Sequence, residues 1–307
     1  MSPVDDDARA VLALTNRLVD ACAEPLLAGE VWALLDAVEQ PGALLGASAA
    51  AIGEALGTGG PDPVRLARLL DPGVGLAVRL AALADQGVWA LTAVERTYPM
   101  RLRDRLGAGA PAVLWGVGSV DLLGTDGVGI VAEADADEPG ESAVAVAAGL
   151  ATLAADLGYP VVTTAGTGAV DVVAGQAAAE AGGAAVGVPA EALTEVAGRA
   201  EVRRGVLDGR TALCTPYHPD AGATDGRVRG CRKVAHALAE LTVVVACDDG
   251  TGPTWAAAAD AVADDRHRLA VWRADGEGPG NAALETLGAT PVHDLDEVAT
   301  LLESGLG

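Results

Sequence analysis

Two cysteine–histidine pairs, one glycine-bounded turn and one run of bases are the places where residue type and spacing could support chemistry. Cys214-x-x-x-His218 and Cys231-x-x-x-x-His236 together offer four N/S ligands, the number that closes a structural zinc site. Positions five apart on a helix differ in direction by about 140°, so Cys231 and His236 diverge if both are helical. Buried thiols and partly exposed histidines are the simpler reading, and neither metal nor cofactor is expected. The turn, Asp248-Asp-Gly-Thr-Gly252, joins a β-branched run (Leu241 to Cys247) to Pro253-Thr-Trp255 and an Ala-rich segment. Gly250 and Gly252 permit a tight turn, and Pro253 suits a first helical turn, where its missing N–H costs nothing. The N–H groups from Thr251 through Gly252 to Thr254 would then face outward from a helix N-terminus, a physical basis for holding phosphate or carboxylate. An ordinary β-to-α connection accounts for the same residues.

The bases run from Arg199 to Lys233, eight of them against four acids, in a chain whose net charge is −23. Such a balance excludes indiscriminate nucleic-acid binding, which needs many basic contacts to phosphate. Locally, Arg227, Arg229, Arg232 and Lys233 read either as a solvated face or as an anion-binding rim. Tyr217 and Trp255 offer rings on which bases of a single strand could stack, although Trp255 equally suits packing under the helix that it opens.

The elements that must position these residues follow from periodicity. From residue 5 to 86, apolar residues recur at helical spacing over Arg9–Val19, Ala28–Glu39, Ala47–Leu56, Pro63–Leu70 and Leu76–Gln86, with helix-stopping Pro and Gly between them. A small all-α N-terminal domain over residues 1–90 is expected, with Trp32 and Trp89 as core anchors. From 91 to 307 the character is α/β. Strands are predicted at 128–132, 160–164, 184–188, 211–215, 242–247, 269–272 and 291–293, and helices at about 140–157, 169–181, 190–198, 229–240, 254–264, 281–287 and 294–303. That alternation predicts a Rossmann-like, doubly wound, mostly parallel sheet with ligands beyond the carboxyl ends of its strands, near 132–140, 164–169, 215–228 and 248–253. Half the residues are hydrophobic and none is Phe, so the core must be aliphatic. No apolar run reaches membrane-spanning length, the start is acidic, and Cys22, Cys214, Cys231 and Cys247 form no C-x-x-C pair. These features suit a cytoplasmic chain with reduced thiols and no membrane partner.

Thr97-Tyr-Pro-Met-Arg-Leu, followed by Ala110-Pro-Ala-Val-Leu-Trp-Gly-Val-Gly118, resembles the Y-P-x-x-L…P-x-x-L-x-x-x-G entry of the DNA processing protein A family (DprA, or Smf). Thr251-Gly-Pro-Thr-Trp-Ala-Ala257 is similar to that family's S-G-x-x-x-T-A turn, and Gly280-Asn281 with Gly288-Ala289 to its G-x-N-x-L-I-x-x-G-A ending. The match runs in consistent order over about 90–300. It implies an extended Rossmann-like fold, homodimerisation, and binding of single-stranded DNA to load a RecA-type recombinase during natural transformation. Gly168 and Asp171 fall on the family's S-G-x-A-x-G-I-D-x-x-A-H segment, with Gly175 at its histidine. Its R-N-R appears as Cys231-Arg232-Lys233.

One departure bears on function. The family's G-S-R phosphate turn is Ala132-Glu133-Ala134 here, and a carboxylate facing a phosphate chain repels it. Weak single-strand binding is therefore expected, with Glu133→Arg expected to strengthen it. The family's C-terminal winged helix is not expected. Catalysis is not expected: there is no G-x-S-x-G or H-E-x-x-H motif. The loop 249–255 somewhat resembles the P-G-G-x-G-T-x-x-E loop of nucleotide phosphoribohydrolases, but the helix positions needing its carboxylate are Ala256 to Ala259, with Asp260 a turn late. Alternatives from other classes are a nucleotide-sensing Rossmann-like module, in stress or phage defence, and a degenerate protein-interaction scaffold.

Overall fold

The structure is a computed structural model that describes residues 5–15, 17–19, 23–57, 60–71, 73–133, 140–166, 168–264 and 266–304. Cys22, Ala134, Thr167 and most of the 132–140 loop lie outside them. The chain divides into two compact units, Met1–Gly116 and Val117–Gly307.

The first unit carries α1 (Asp6–Leu14), α2 (Ala28–Ala37), α3 (Ala49–Leu56), α4 (Pro63–Leu69) and α5 (Gly73–Asp85), then β1 (Trp89–Thr92), α6 (Arg101–Leu106) and β2 (Val113–Gly118). Local caps start α1 and α4: Asp5 accepts the Ala8 N–H at 2.7 Å, and Asp62 the Val64 N–H at 3.0 Å. Helix α1 stops at Leu14, short of the expected Val19, because the Leu14 carbonyl accepts from Leu26 N–H at 2.9 Å and the chain turns away. Trp32 is a core anchor. Its Nε1–H donates to the Ala110 carbonyl (2.8 Å), Tyr98 meets its ring edge-on, and the Arg103 guanidinium lies 4.6 Å over the ring. Strands β1 and β2 pair antiparallel, Trp89 opposite Gly116.

The second unit continues with α7 (Asp121–Gly124), β3 (Gly127–Ala132), α8 (Glu141–Asp156), β4 (Val161–Thr163), α9 (Ala169–Glu180), β5 (Ala185–Gly187), α10 (Leu193–Ala197), α11 (Ala200–Leu207), β6 (Thr211–Thr215), α12 (Asp225–Leu238), β7 (Ala239–Ala246), α13 (Gly252–Ala263), β8 (Leu269–Trp272), α14 (Asn281–Leu287), β9 (Thr290–Val292) and α15 (Leu295–Ser304). Strands β3 to β9 lie in the order β6-β5-β4-β3-β7-β8-β9, and each neighbouring pair among them is parallel. This is the doubly wound sheet expected. Strand β7 shows why its sequence lacks alternation: Val243 and Val245 face α8, α9 and α15, while Val244 faces α13 and α14, all three fully buried. Alanine supplies much of the helical contact, notably Ala143, Ala147, Ala151 and Ala154 of α8, so this helix approaches the sheet closely.

Among the described residues no helix is long and apolar enough to cross a membrane.

Candidate nucleic-acid interface

The strand order reverses between β3 and β7. From β3 the chain winds outward to β6, then returns to lay β7 on the other side of β3 and winds out to β9. The carboxyl ends of these two strands, Ala132-Glu133 and Ala246-Cys247-Asp248, therefore bound the crevice where open α/β sheets bind ligands. Glu133 N–H donates to the Ala246 carbonyl at 3.0 Å, fixing the two ends together.

Helix α13 begins above this crevice, and its N-cap residue Thr251 forms no side-chain cap bond. The capping anion comes instead from β3: Glu133 Oε2 accepts the Thr254 N–H at 3.2 Å. Thr254 Oγ1–H donates to the Ala132 carbonyl at 3.0 Å. Arg232, on α12, donates through Nη1 to the Ala132 carbonyl at 3.2 Å and to Thr254 Oγ1, and its Nη2 lies 3.8 Å from Glu133 Oε1. Both charged side chains are only 4% exposed. Gly252 has φ +83°, and a Cβ there would stand 2.5 Å from Glu133 Oε2, so both the turn and the carboxylate require glycine.

This geometry corrects the expectation for Glu133→Arg. Residue 133 does not face outward as a free charge; it is buried against Arg232, so an arginine there would set two buried guanidinium groups side by side in place of the ion pair.

The other expected site residues fall in three places. Arg229 and Lys233 share one carboxylate, Asp260 of α13, at 2.7 and 2.9 Å, and that pairing holds the Asp260 carboxyl below its ordinary range, Lys233 first and Arg229 next. Arg227 meets no carboxylate among the described residues; its Nη1–H donates to the Gly222 carbonyl at 2.6 Å, and its guanidinium lies 5.9 Å over the Tyr217 ring. Thr251 and Gly252 are exposed, Thr254 is fully buried, and Trp255 is partly buried against the Val131–Val244 core, so its ring packs beneath α13. Gly168 is the N-cap of α9. Asp171, in the first turn of that helix, accepts Thr164 Oγ1–H at 2.6 Å and Thr164 N–H at 3.3 Å. Burial raises its carboxyl above the ordinary range against the lowering pull of the Thr164 hydroxyl and Arg232. Asp171 thus pins the β4–α9 loop.

Sequence reasoning alone does not mark Asn281 as a site organiser. Fully buried, it donates from Nδ2 to the Val245 carbonyl (2.8 Å) and the Trp272 carbonyl (2.7 Å), and its Oδ1 accepts Cys247 N–H (3.1 Å). It ties the ends of β7 and β8 beneath the 248–252 turn. The Gly280-Asn281 pair noted in the sequence is the signal that points to it.

Cys214, Cys231, Cys247 and His236 are buried in the α/β unit. Cys231 Sγ–H donates to the Pro189 carbonyl at 3.2 Å, and burial pushes the thiols of Cys231 and Cys247 up to about 12. Among the described residues no three His, Cys, Asp or Glu side chains gather to hold a metal ion. His236 is buried, neither ring nitrogen has a hydrogen-bond partner among the described residues, and burial lowers its pKa to about 3, helped by His267 and Arg232. The unfolded imidazole takes its proton near 6.5, so the unfolded state binds more protons between the two values. The His236 contribution is thus intact above pH 6.5 and falls with pH down to about 3, by up to roughly 1.4 kcal/mol per pH unit. Denaturant midpoints measured from pH 7.5 to 5 should show this slope flattened in His236→Phe; an unchanged slope would show that the imidazole is already charged in the folded state.

A model of the family described as DNA recombination-mediator protein A matches residues 89–303. Among curated proteins none matches the chain. Among solved structures, DNA processing protein A from Streptococcus pneumoniae is 17% identical, with a TM-score of 0.69 over 97% of this chain and 98% of that one. DNA processing protein A from Helicobacter pylori is 19% identical, with a TM-score of 0.57 over 71% of this chain and 96% of that one. The solved relatives share the fold, and because the family model covers well over half of the sequence, the chain belongs to the DNA recombination-mediator protein A family.

Proposed function

We propose that this chain binds single-stranded DNA in DNA processing, as a homodimer and without doing chemistry on the strand, and passes it to a RecA-type recombinase. The observation that carries the reading is Arg227 lying over the Tyr217 ring with no carboxylate beside it among the described residues, on the helix whose Arg229 and Lys233 share a single carboxylate. A ring beside under-neutralised cations suits a base stacked above its phosphate. Family membership supports the reading, and the Helicobacter pylori relative has a described single-stranded DNA binding mode. The net charge of −23 keeps the affinity weak.

The test is anisotropy of a labelled oligothymidine at two salt concentrations. Replacing Arg227, Arg229 and Lys233 together by alanine should weaken binding strongly. It should also flatten the log–log salt dependence by up to about 2, since each phosphate neutralised on a single strand adds about 0.7 to that slope. A wild type that does not bind, or a triple variant that binds with the wild-type slope, would defeat the proposal. The nucleotide-sensing alternative needs an open phosphate hole at the switch point, and Glu133 stands in that hole.

A further inference from the structure

We infer that the Glu133 carboxylate is the chain's own ligand for an oxyanion hole at the strand switch point, and that removing it opens the hole to a free phosphate-class oxyanion. The inference does not rest on DNA binding and is tested with inorganic phosphate alone.

Three independent features define the hole. The first is the N-terminal end of α13, a helix of 12 residues whose N-cap side chain contributes no bond, leaving the Thr254 N–H to an outside acceptor. The second is a buried cation: Arg232 reaches in from α12 and is held by the Ala132 carbonyl and Thr254 Oγ1. The third is the lack of a side chain at Gly252, which lets an anion press against the turn.

Glu133 fills this hole incompletely. Oε2 takes the Thr254 N–H, but Oε1 is buried without a hydrogen-bond partner among the described residues, and Arg232 Nη2 stands 3.8 Å from it. A planar carboxylate tethered to β3 meets the amide while leaving the cation beyond hydrogen-bond length. A tetrahedral oxyanion has the extra oxygen to meet both. In the wild type the tether decides the competition: the Glu133 backbone is bonded to Ala246, so its carboxylate is held at the hole at an effective concentration that dilute free phosphate does not match. Asp171 also bears electrostatically on Arg232, but its oxygens are engaged by the Thr164 hydroxyl and amide, and it caps its own loop.

The experiment compares wild type, Glu133→Ala, Glu133→Gln and the Glu133→Ala/Arg232→Met double variant in sodium phosphate and in sodium chloride of matched ionic strength. Melting temperature is one readout; the amide signals of Gly252 and Thr254 in nitrogen-15 spectra are the other. Glu133→Ala should melt below wild type in chloride and recover saturably with phosphate, by about 3–6 °C at ten times the dissociation constant. Acetate, which restores the deleted group, should also raise its melting temperature. Wild type and Glu133→Gln should show no saturable shift of the two amides, since the hole is filled in both, and the double variant should lose the response with its cation. If Glu133→Ala is unfolded in chloride, folding on phosphate addition supports the inference, and failure to fold in phosphate or acetate overturns it. Saturable phosphate shifts at Gly252 and Thr254 in wild type, or a Glu133→Gln that melts with wild type while Glu133→Ala ignores both anions, would also overturn it.

Discussion

Arg232→Met should destabilise the α/β unit by roughly 3–5 kcal/mol, the range for breaking a buried ion pair by removing one partner. The cost arises from what stays behind. Glu133 stays at 4% exposure without its cation, and the Ala132 carbonyl loses a charged donor. Methionine fills a similar volume, so the loss is electrostatic rather than a cavity. Two comparisons isolate the cause. Adding Glu133→Gln to Arg232→Met removes the stranded charge and should recover most of the loss, a coupling that a double-mutant cycle reads directly. Arg229→Ala, whose side chain is half exposed and shares Asp260 with Lys233, should cost no more than about 1 kcal/mol. Guanidinium unfolding of wild type, Arg232→Met, Glu133→Gln, their double variant and Arg229→Ala gives these values. An Arg232→Met that loses less than about 1 kcal/mol would mean that the guanidinium and carboxylate are not a functional pair.

Asn281→Ala should cost a similar amount, about 3–5 kcal/mol, by a different route. Three backbone groups, the carbonyls of Val245 and Trp272 and the N–H of Cys247, lose their partner in a site that water does not reach. Asn281→Asp makes the argument specific. A carboxylate can still accept the Cys247 N–H but cannot donate to either carbonyl, so the aspartate variant should rescue little. Recovery to near wild-type stability in Asn281→Asp would show that the two carbonyl bonds carry no weight.

The legible parts of the fold are those whose signal is local. Leu241 to Cys247 reads as a strand buried on both faces because nearly all of its residues are apolar, and β7 is that strand. Helix α11 escapes such a reading because its apolar face is short, Val202 and Val206 one turn apart, and none of its residues is buried. Helix α12 begins four residues earlier than expected, at Asp225, because the Thr224 hydroxyl accepts Arg227 N–H, a capping bond in a stretch otherwise rich in glycine. Strands β1 and β2 are not distinguishable as strands from periodicity, since their pairing joins segments separated by a helix and short apolar runs alone do not specify a partner.

In the candidate site the bases are visible in the sequence and their fates are not. Arg229, Arg232 and Lys233 read alike in a run of bases, yet α12 turns Arg232 inward and leaves the other two at the surface. The carboxylate that faces Arg232 follows directly on β3, and no periodicity links positions so distant. Glu133 is legible as a misplaced charge in a phosphate turn. That it caps another element's helix depends on the pairing of β3 with β7.

That pairing also sets an order of events in time. Val128 aligns with Leu241 and Ile130 with Val243, so the two central strands of the sheet are made far apart during synthesis. At ribosomal speeds of about 5–20 residues per second, β3 waits roughly 6–20 s for β7 with one edge open. Closure of the centre is a long-range event, slow by contact order, and α13 emerges only after it. Until then Glu133 has no amide to cap, and the nascent chain displays an unpaired apolar edge.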